Sequence, residues 1–432
     1  MANFFLRIVK VGFAPVLWSQ LRGPPLIIFL VCLMGWTLSN LDQSLFGYAI
    51  PGIRSEFGTD LDSIGWILSG SFALAAVMTV VIGLFADRYG RRVMFVLTLS
   101  ISALLVGIQA FAPTLMILGL VRVLAFGVSN GLAPLVVAYT AEGAPNRYRG
   151  LMSGLIQGGY PLGWFLGSLI AAPLMTAYGW RAIFLPAFLV IPLTFLLARW
   201  LPESERFRQA RARRDQTAEL GKNEAWIGKI TTLFSPDLRR RTLFCMGSYF
   251  LFGCAYSGTA FYFPTFYTEV RGYSVSDATY IVGLSYGIGI LGYIGSSVVG
   301  EFFLTRRDTI IIWTWLGAAA LVCVVWLPTS FATDIFWFSV MASFFYGSNA
   351  VLGTFSAEIF PTRVRVTGAG FAGSLALYFG FATFPIIIAR AVDFIGWQWA
   401  FTACALPLVL SGCMLFGISS YKSGVDMDDI AR

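Results

Sequence analysis

Histidine is absent from the chain, and charge is scarce: 12% of its 432 residues are Asp, Glu, Lys or Arg. Without histidine there is no imidazole proton relay, and the commonest transition-metal ligand is missing. A soluble domain is usually about 25% charged, so half that value cannot cover the surface of a water-soluble protein this long. Six cysteines, Cys32, Cys245, Cys254, Cys323, Cys404 and Cys413, all fall in apolar stretches and form no CxxC pair. They read as small buried residues, neither a disulfide framework nor a metal site. No G-x-x-x-x-G-K-[ST] phosphate loop or nucleophile elbow occurs. A cytosolic enzyme, an ATP-driven pump, a disordered chain and a secreted disulfide scaffold are thereby excluded.

Long apolar runs fill the rest. The chain is 57% hydrophobic and 16% aromatic, with mean hydropathy +0.75. A helix needs about 20 apolar residues to cross a bilayer. Twelve such runs lie near 24–51, 64–86, 91–112, 114–141, 151–174, 180–200, 242–268, 277–303, 309–328, 333–358, 367–391 and 397–420. The one long connection, 201–241, holds ten basic and six acidic side chains. Of the 30 basic residues, Arg122 lies inside a run; Arg54, Arg181, Arg271 and Arg390 fall on one side, and the remaining 25 on the other. The positive-inside rule puts both termini and the long connection in the cytosol. Arg7 and Lys10 precede the first run without a small-residue cleavage site, so the N-terminus reads as a retained tail. The net charge of +8 follows from this topology and does not imply a nucleic-acid partner.

The chain also repeats itself. "AEGAPNRYRGLMSG" from Ala141 returns as "AEIFPTRVRVTGAG" from Ala357, an offset of 216. Ala141, Glu142, Pro145, Arg147, Arg149 and Gly154 recur as Ala357, Glu358, Pro361, Arg363, Arg365 and Gly370, each set after the fourth run of its half. The expected architecture is an all-α membrane protein of twelve transmembrane helices in two six-helix pseudo-symmetric halves. Its expected divisions are residues 1–200, a cytosolic linker 201–241, and residues 242–432.

Local motifs agree with that plan. "GLFADRYGRR" (Gly83 to Arg92) resembles the G-x-x-x-D-R-x-G-R-R loop of the major facilitator superfamily. Its second-half copy, "GEFFLTRRDT" from Gly300, has Leu304 and Thr305 in place of Asp87 and Arg88. "LPESERF" from Leu201 resembles the PESPR-type motif of sugar porters and of organic acid:proton symporters. "RVLAFGVSNGLAPLVVAYTAE" from Arg122 and "GYPLGWFLG" from Gly159 are similar to the aromatic acid:proton symporters. That family carries two aspartates in span 1, where this chain has Ser39 and Asp42. It carries an arginine in span 11, where this chain has Leu377 and Tyr378. The resemblance implies a cytosolic gate of Asp87, Arg88, Arg91, Glu142, Arg149, Glu203, Glu358 and Arg365. Read without it, those residues are topological markers with weak surface ion pairs.

An ionisable group inside a span is a functional candidate. Away from helix ends there are two, Asp42 and Arg122. Asp42 precedes Pro51 by nine residues and Arg122 follows Pro113 by nine, which places both roughly 13 Å below the outer end. Opposite charges at one depth suggest a proton-coupling pair, with a purely structural pair and a sodium site as alternatives. The second half has no counterpart: the offset maps Arg122 onto Phe338. It is rich in rings instead, so Tyr256, Tyr286, Tyr346, Asn349 and Tyr378 are expected to line a substrate site. Gln157 and Tyr160 of span 5 complete it, the glutamine by resemblance to related porters.

The reading is a secondary active transporter, not an enzyme: proton-coupled uptake of a small organic anion such as a carboxylate, aromatic acid or sugar acid. A neutral sugar:proton symporter is one alternative. A proton-driven exporter is another, because Gly150, Gly159, Gly163 and Gly167 keep the spacing of the antiporter motif of span 5, with Trp164 at its proline. No cofactor or metal is expected. The coupling ion is a proton, with sodium left open. The expected partners are the substrate and the lipid bilayer of a bacterial inner membrane, and the chain is expected to work as a monomer.

Overall fold

In the computed structural model, residues 24–143, 149–203, 226–361 and 364–419 are described. They form twelve spans. Span 1 is Pro24–Phe57, span 2 Leu61–Tyr89 and span 3 Arg91–Ile108. Span 4 comprises Leu115–Asn130 and Leu132–Gly143, and span 5 Arg149–Gln157 and Gly159–Tyr178. Span 6 joins the 3₁₀ helix Trp180–Leu189 to Val190–Trp200. In the second half, span 7 is Arg239–Ser257 with Phe263–Glu269, span 8 Val275–Phe302 and span 9 Arg306–Trp326. Span 10 runs as Phe331–Phe344 and Asn349–Glu358 around a 3₁₀ turn. Span 11 starts at Arg365–Gly368, passes through the π-helical Ala369–Leu375 and enters Ala376–Ala403. Gly396, at φ 76°, breaks that last helix, and span 12 continues through Ala405–Leu415.

Short polar residues fix where the spans begin. The side chains of Asp60, Thr114, Ser274, Thr305 and Ser330 accept the N–H of Ser63, Ile117, Asp277, Asp308 and Thr333. Each satisfies one of the orphan donors of a helix start. The outer face needs no such pairing, because its helices close their own hydrogen bonds and present side chains to lipid. Leu120, Leu189, Leu291 and Phe394 are all more than half exposed there, a distribution that fits hydrocarbon and would aggregate in water.

The two halves repeat in detail. Spans 1 and 5 pack together, as do 7 and 11; spans 2 and 4 pair as do 8 and 10. A Cβ on Gly163 of span 5 would lie 2.6 Å from the Thr37 carbonyl oxygen of span 1. One on Gly380 of span 11 would lie 2.3 Å from the Phe250 carbonyl oxygen of span 7. Only glycine allows both approaches. Spans 4 and 10 are interrupted at matching places, around Gly131 and Gly347. Between the halves, span 5 packs on span 8 and span 2 on span 11.

One boundary differs from the sequence expectation. Span 1 does not stop at Pro51 but runs on to Phe57 with Pro51 inside the helix. A proline breaks one backbone hydrogen bond, and burial of Ile50 and Ile53 on either side of it holds the helix together across that gap.

Candidate functional site

Ser39, Asp42 and Phe46 sit three and four residues apart, so they share one face of span 1. That face meets span 4. The Ser39 and Ser129 hydroxyls are 2.7 Å apart, and Ser39 Oγ also donates to the Ser129 carbonyl at 3.1 Å. This contact sets the register of two antiparallel helices. Arg122 then falls level with Phe46: its guanidinium carbon is 4.5 Å from the Phe46 ring centre and 4.7 Å from that of Phe126. Asp42 and Arg122 are therefore not at one depth, as counting from Pro51 and Pro113 suggested. Arg122 lies about one turn, roughly 6 Å, further from Asp42 along the axis.

Both are 1% exposed. Neither carboxylate oxygen of Asp42, nor Nε and Nη2 of Arg122, has a hydrogen-bond partner among the described residues. Arg122 is instead clamped between two rings, where the π faces partly replace water around the cation. Two buried opposite charges that make no hydrogen bond to each other form an arrangement that is costly to hold and easy to switch.

Beyond Phe126 the rings form a continuous body. Tyr160 of span 5 lies 5.7 Å from both Tyr256 of span 7 and Tyr286 of span 8, and 6.5 Å from Tyr346 of span 10. Tyr286 and Tyr346 stack at 5.2 Å, and Tyr256 meets Tyr346 at 5.5 Å. The Tyr160 and Tyr286 hydroxyls are 3.3 Å apart, and Tyr346 meets the Thr259 hydroxyl at 3.4 Å. Ring contacts lead onward from Tyr256 to Phe381 at 4.9 Å, Phe72 at 4.9 Å and Phe126 at 4.8 Å. The tyrosines are thus joined to Arg122 by an apolar layer, not by a polar wire.

Of the residues proposed to line a substrate site, Tyr160, Tyr256, Tyr286 and Tyr346 converge. Tyr378 stands one ring away, 5.8 Å from Phe381, and its hydroxyl donates across the halves to Asn130 Oδ1 at 3.4 Å. Gln157 and Asn349 are partly exposed next to the helix breaks that precede Tyr160 and follow Tyr346. They lie towards the end of the bundle that carries the linker.

At that end, Glu203 accepts the backbone N–H of Arg91 at 3.0 Å and of Arg92 at 3.4 Å. A carboxylate at the first turn of span 3 meets both the orphan donors and the positive end of the helix dipole. Glu358 pairs with Arg306, which also reaches Glu301 at 2.6 Å. Arg365 Nε donates to the Phe360 carbonyl at 3.4 Å, and Arg88 is exposed with its guanidinium 5.4 Å from the Tyr89 ring. These contacts of Glu203, Glu358 and Arg365 each lie within one half. The side chains of Asp87, Glu142 and Arg149 lie outside the described residues.

The far end is shut between the halves. Arg54 of span 1 pairs with Glu269 of span 7, and Arg390 of span 11 with Asp62 of span 2 at 2.9 Å. Within the second half, Arg271 approaches the buried Asp334 at 3.8 Å, and the Tyr273 hydroxyl donates to Asp334 Oδ2 at 2.8 Å. Burial and that hydrogen bond push the Tyr273 phenol up to about 12, so it remains a donor at any working pH. These far-end acids, together with Trp164, Phe261 and Arg306, were missed by sequence reasoning. Asp334 stands in the first turn of a helix, and Trp164 stands where the antiporter motif has its proline.

A profile of the Major Facilitator Superfamily matches residues 27–376. The chain is 25% identical to the niacin transporter NiaP of Acinetobacter baylyi, over 92% of this chain and 94% of that one. It is 29% identical to a gallate transporter of Pseudomonas putida, covering 92% and 90%, and 26% identical to the 4-hydroxybenzoate transporter PcaK of Acinetobacter baylyi, covering 89% and 88%. Among solved structures it is similar to a bacterial homologue of the human lysosomal transporter Spinster in an inward-facing, unoccupied conformation. That likeness has a TM-score of 0.67 at 16% identity, covering 91% and 97% of the two chains. With twelve spans in two matching halves and this match over most of its length, the chain belongs to the Major Facilitator Superfamily and is a multi-pass membrane transporter, not an enzyme.

Proposed function

We propose that this transporter takes up small organic acids by proton symport, with the linker end and both termini in the cytosol. The observation that carries the reading is Asp42, fully buried with both oxygens unpartnered on the face of span 1 that meets Arg122. A proton on Asp42 removes an uncompensated buried charge, and its departure leaves a carboxylate drawn to Arg122 one turn away. The two charge states favour different separations of spans 1 and 4, and that difference couples proton movement to the rocking of the halves. In the described state the far end is closed by Arg54–Glu269 and Asp62–Arg390, while exposure begins at Gln157, Asn349 and Tyr378 near the linker. This is the release side of an uptake cycle.

The substrate reading rests on the ring cluster, which suits flat molecules, and on relatives whose names specify niacin, gallate and 4-hydroxybenzoate. The gate at the linker end is proposed to work through Glu203, Arg91, Glu358 and Arg365, with Asp87, Arg88, Glu142 and Arg149.

The test uses purified protein in liposomes with a pH-sensitive dye inside and no imposed gradient. Adding nicotinate, gallate, 4-hydroxybenzoate, cis,cis-muconate, a neutral sugar or a lipophilic cation outside separates the classes. Internal acidification on adding an acid, beyond that of protein-free liposomes, supports symport. Radiolabelled acid entering without proton movement refutes coupling. Proton movement with the lipophilic cation alone refutes the uptake reading.

A further inference from the structure

Trp164 is fully buried in the ring cluster, between Tyr286 at 5.0 Å, Phe261 at 5.5 Å and Tyr160 at 6.0 Å. Its backbone is pinned, because the Tyr48 hydroxyl donates to its carbonyl at 2.8 Å. Its ring is oriented as well. A Cβ on Gly47 of span 1 would lie 3.1 Å from Cη2 and 3.4 Å from Cζ3 of the indole. Those two atoms form the edge opposite the five-membered ring, so Nε1 is directed away from span 1. Nε1 is a donor only, and it has no partner among the described residues. The hydroxyls of Tyr160, Tyr286 and Tyr346 around it all have partners. A buried donor without a partner costs free energy until a ligand or a water meets it, and among the described residues Trp164 Nε1 is such a donor held at a fixed orientation inside the ring cluster.

We propose that Trp164 Nε1–H is the specificity donor of the transporter, and that it donates to the carboxylate of a planar monocarboxylic acid lodged among the tyrosines. Arg122 does not fill this role, since Phe126 and Phe72 stand between it and the cluster. The substrate's charge is then met by a neutral donor, which leaves Arg122 to answer Asp42. The place that bears a bend-forming proline in drug antiporters bears here a residue that reads the cargo. The inference rests on the organic-acid reading above.

The experiment is titration calorimetry of nicotinate, 4-hydroxybenzoate and nicotinamide into the full chain in lipid nanodiscs. Trp164→Phe keeps an aromatic ring at this place and deletes the N–H; it is expected to bind both acids roughly ten- to a hundredfold more weakly, as for a site that loses a hydrogen bond to its ligand. Trp164→Tyr, which restores a donor, is expected to recover part of that loss. Equal affinity of Trp164→Phe and wild type for the acids overturns the assignment alone. So does loss of acid binding in Arg122→Gln with retention in Trp164→Phe. Wild-type protein that binds neither acid overturns both this inference and the organic-acid reading. If Trp164→Phe does not fold, indole ¹⁵N–H spectra of the wild-type chain decide the matter. A nicotinate-dependent shift of one indole signal supports the role, and thirteen unmoved indole signals overturn it.

Discussion

The far-end lock comes from a broken symmetry, and the break can be repaired. In the first half, Glu56 at the end of span 1 accepts Trp180 Nε1 at 2.7 Å and Arg181 Nη2 at 2.6 Å. In the second half, Glu269 at the end of span 7 accepts Trp397 Nε1 at 2.9 Å. Trp180 and Trp397 each follow a positive-φ glycine, Gly179 and Gly396, at the start of spans 6 and 12. Arg181, however, is matched by Gln398, which cannot form the ion pair. Glu269 is left to Arg54 of the other half. Replacing Gln398 by Arg should give Glu269 a partner of its own half and release Arg54. The pair is partly solvated, with side chains 23% and 42% exposed, so its loss is worth only about 1 kcal/mol. That is still roughly a fivefold change in the ratio of open to closed far ends. Thr265, fully buried one turn inward of Glu269, reports the opening once changed to Cys. Five of the six native cysteines are at least partly buried, and Cys413 lies on the lipid-facing side of span 12, so background labelling by a membrane-impermeant maleimide is low. Gln398→Arg and Glu269→Gln should each raise the labelling rate several-fold, whereas Arg181→Gln should not. Unchanged rates in both would refute the latch and its derivation from the broken repeat.

Three further outcomes follow from the geometry. Asp42→Asn should abolish accumulation of acid against its gradient while leaving counterflow exchange measurable; full proton-driven accumulation in this variant would remove Asp42 from coupling. Gly163→Ala forces a Cβ to 2.6 Å from the Thr37 carbonyl and 2.7 Å from the Leu41 nitrogen. Such overpacking against backbone should cost about 1–3 kcal/mol, seen as a lowered melting temperature in detergent; an unchanged value would mean that spans 1 and 5 separate freely. Glu203→Ala should cost about 1 kcal/mol by uncapping span 3, with Glu203→Gln losing less because it keeps an acceptor; equal melting temperatures for all three proteins would show the cap to be idle.

The spans and their repeat were legible because apolar length and offset matches are local signals. Asp42 and Arg122 were legible because any mid-span charge stands out. Their relative height was not, since a helix may pass through a proline, and the true register is set by two serines, Ser39 and Ser129, with no sequence signature. The tyrosines were visible as rings at helical spacing, but their convergence depends on spans 5, 7, 8 and 10 meeting across two halves. Four arginines depart from the positive-inside pattern. Each in fact has an acid on its own side: Arg54 with Glu269, Arg181 with Glu56, Arg390 with Asp62, and Arg271 beside Asp334. The topological rule tolerates them because a neutralised cation exerts little net pull towards the cytosol. Two of these pairs tie each half to itself and two cross between halves, so two of the four exceptions, Arg54 and Arg390, are residues that hold the far end closed. An exception to a charge rule in such a sequence is therefore a place to look for a partner, and the acid that supplies it identifies which helices must separate when the transporter opens.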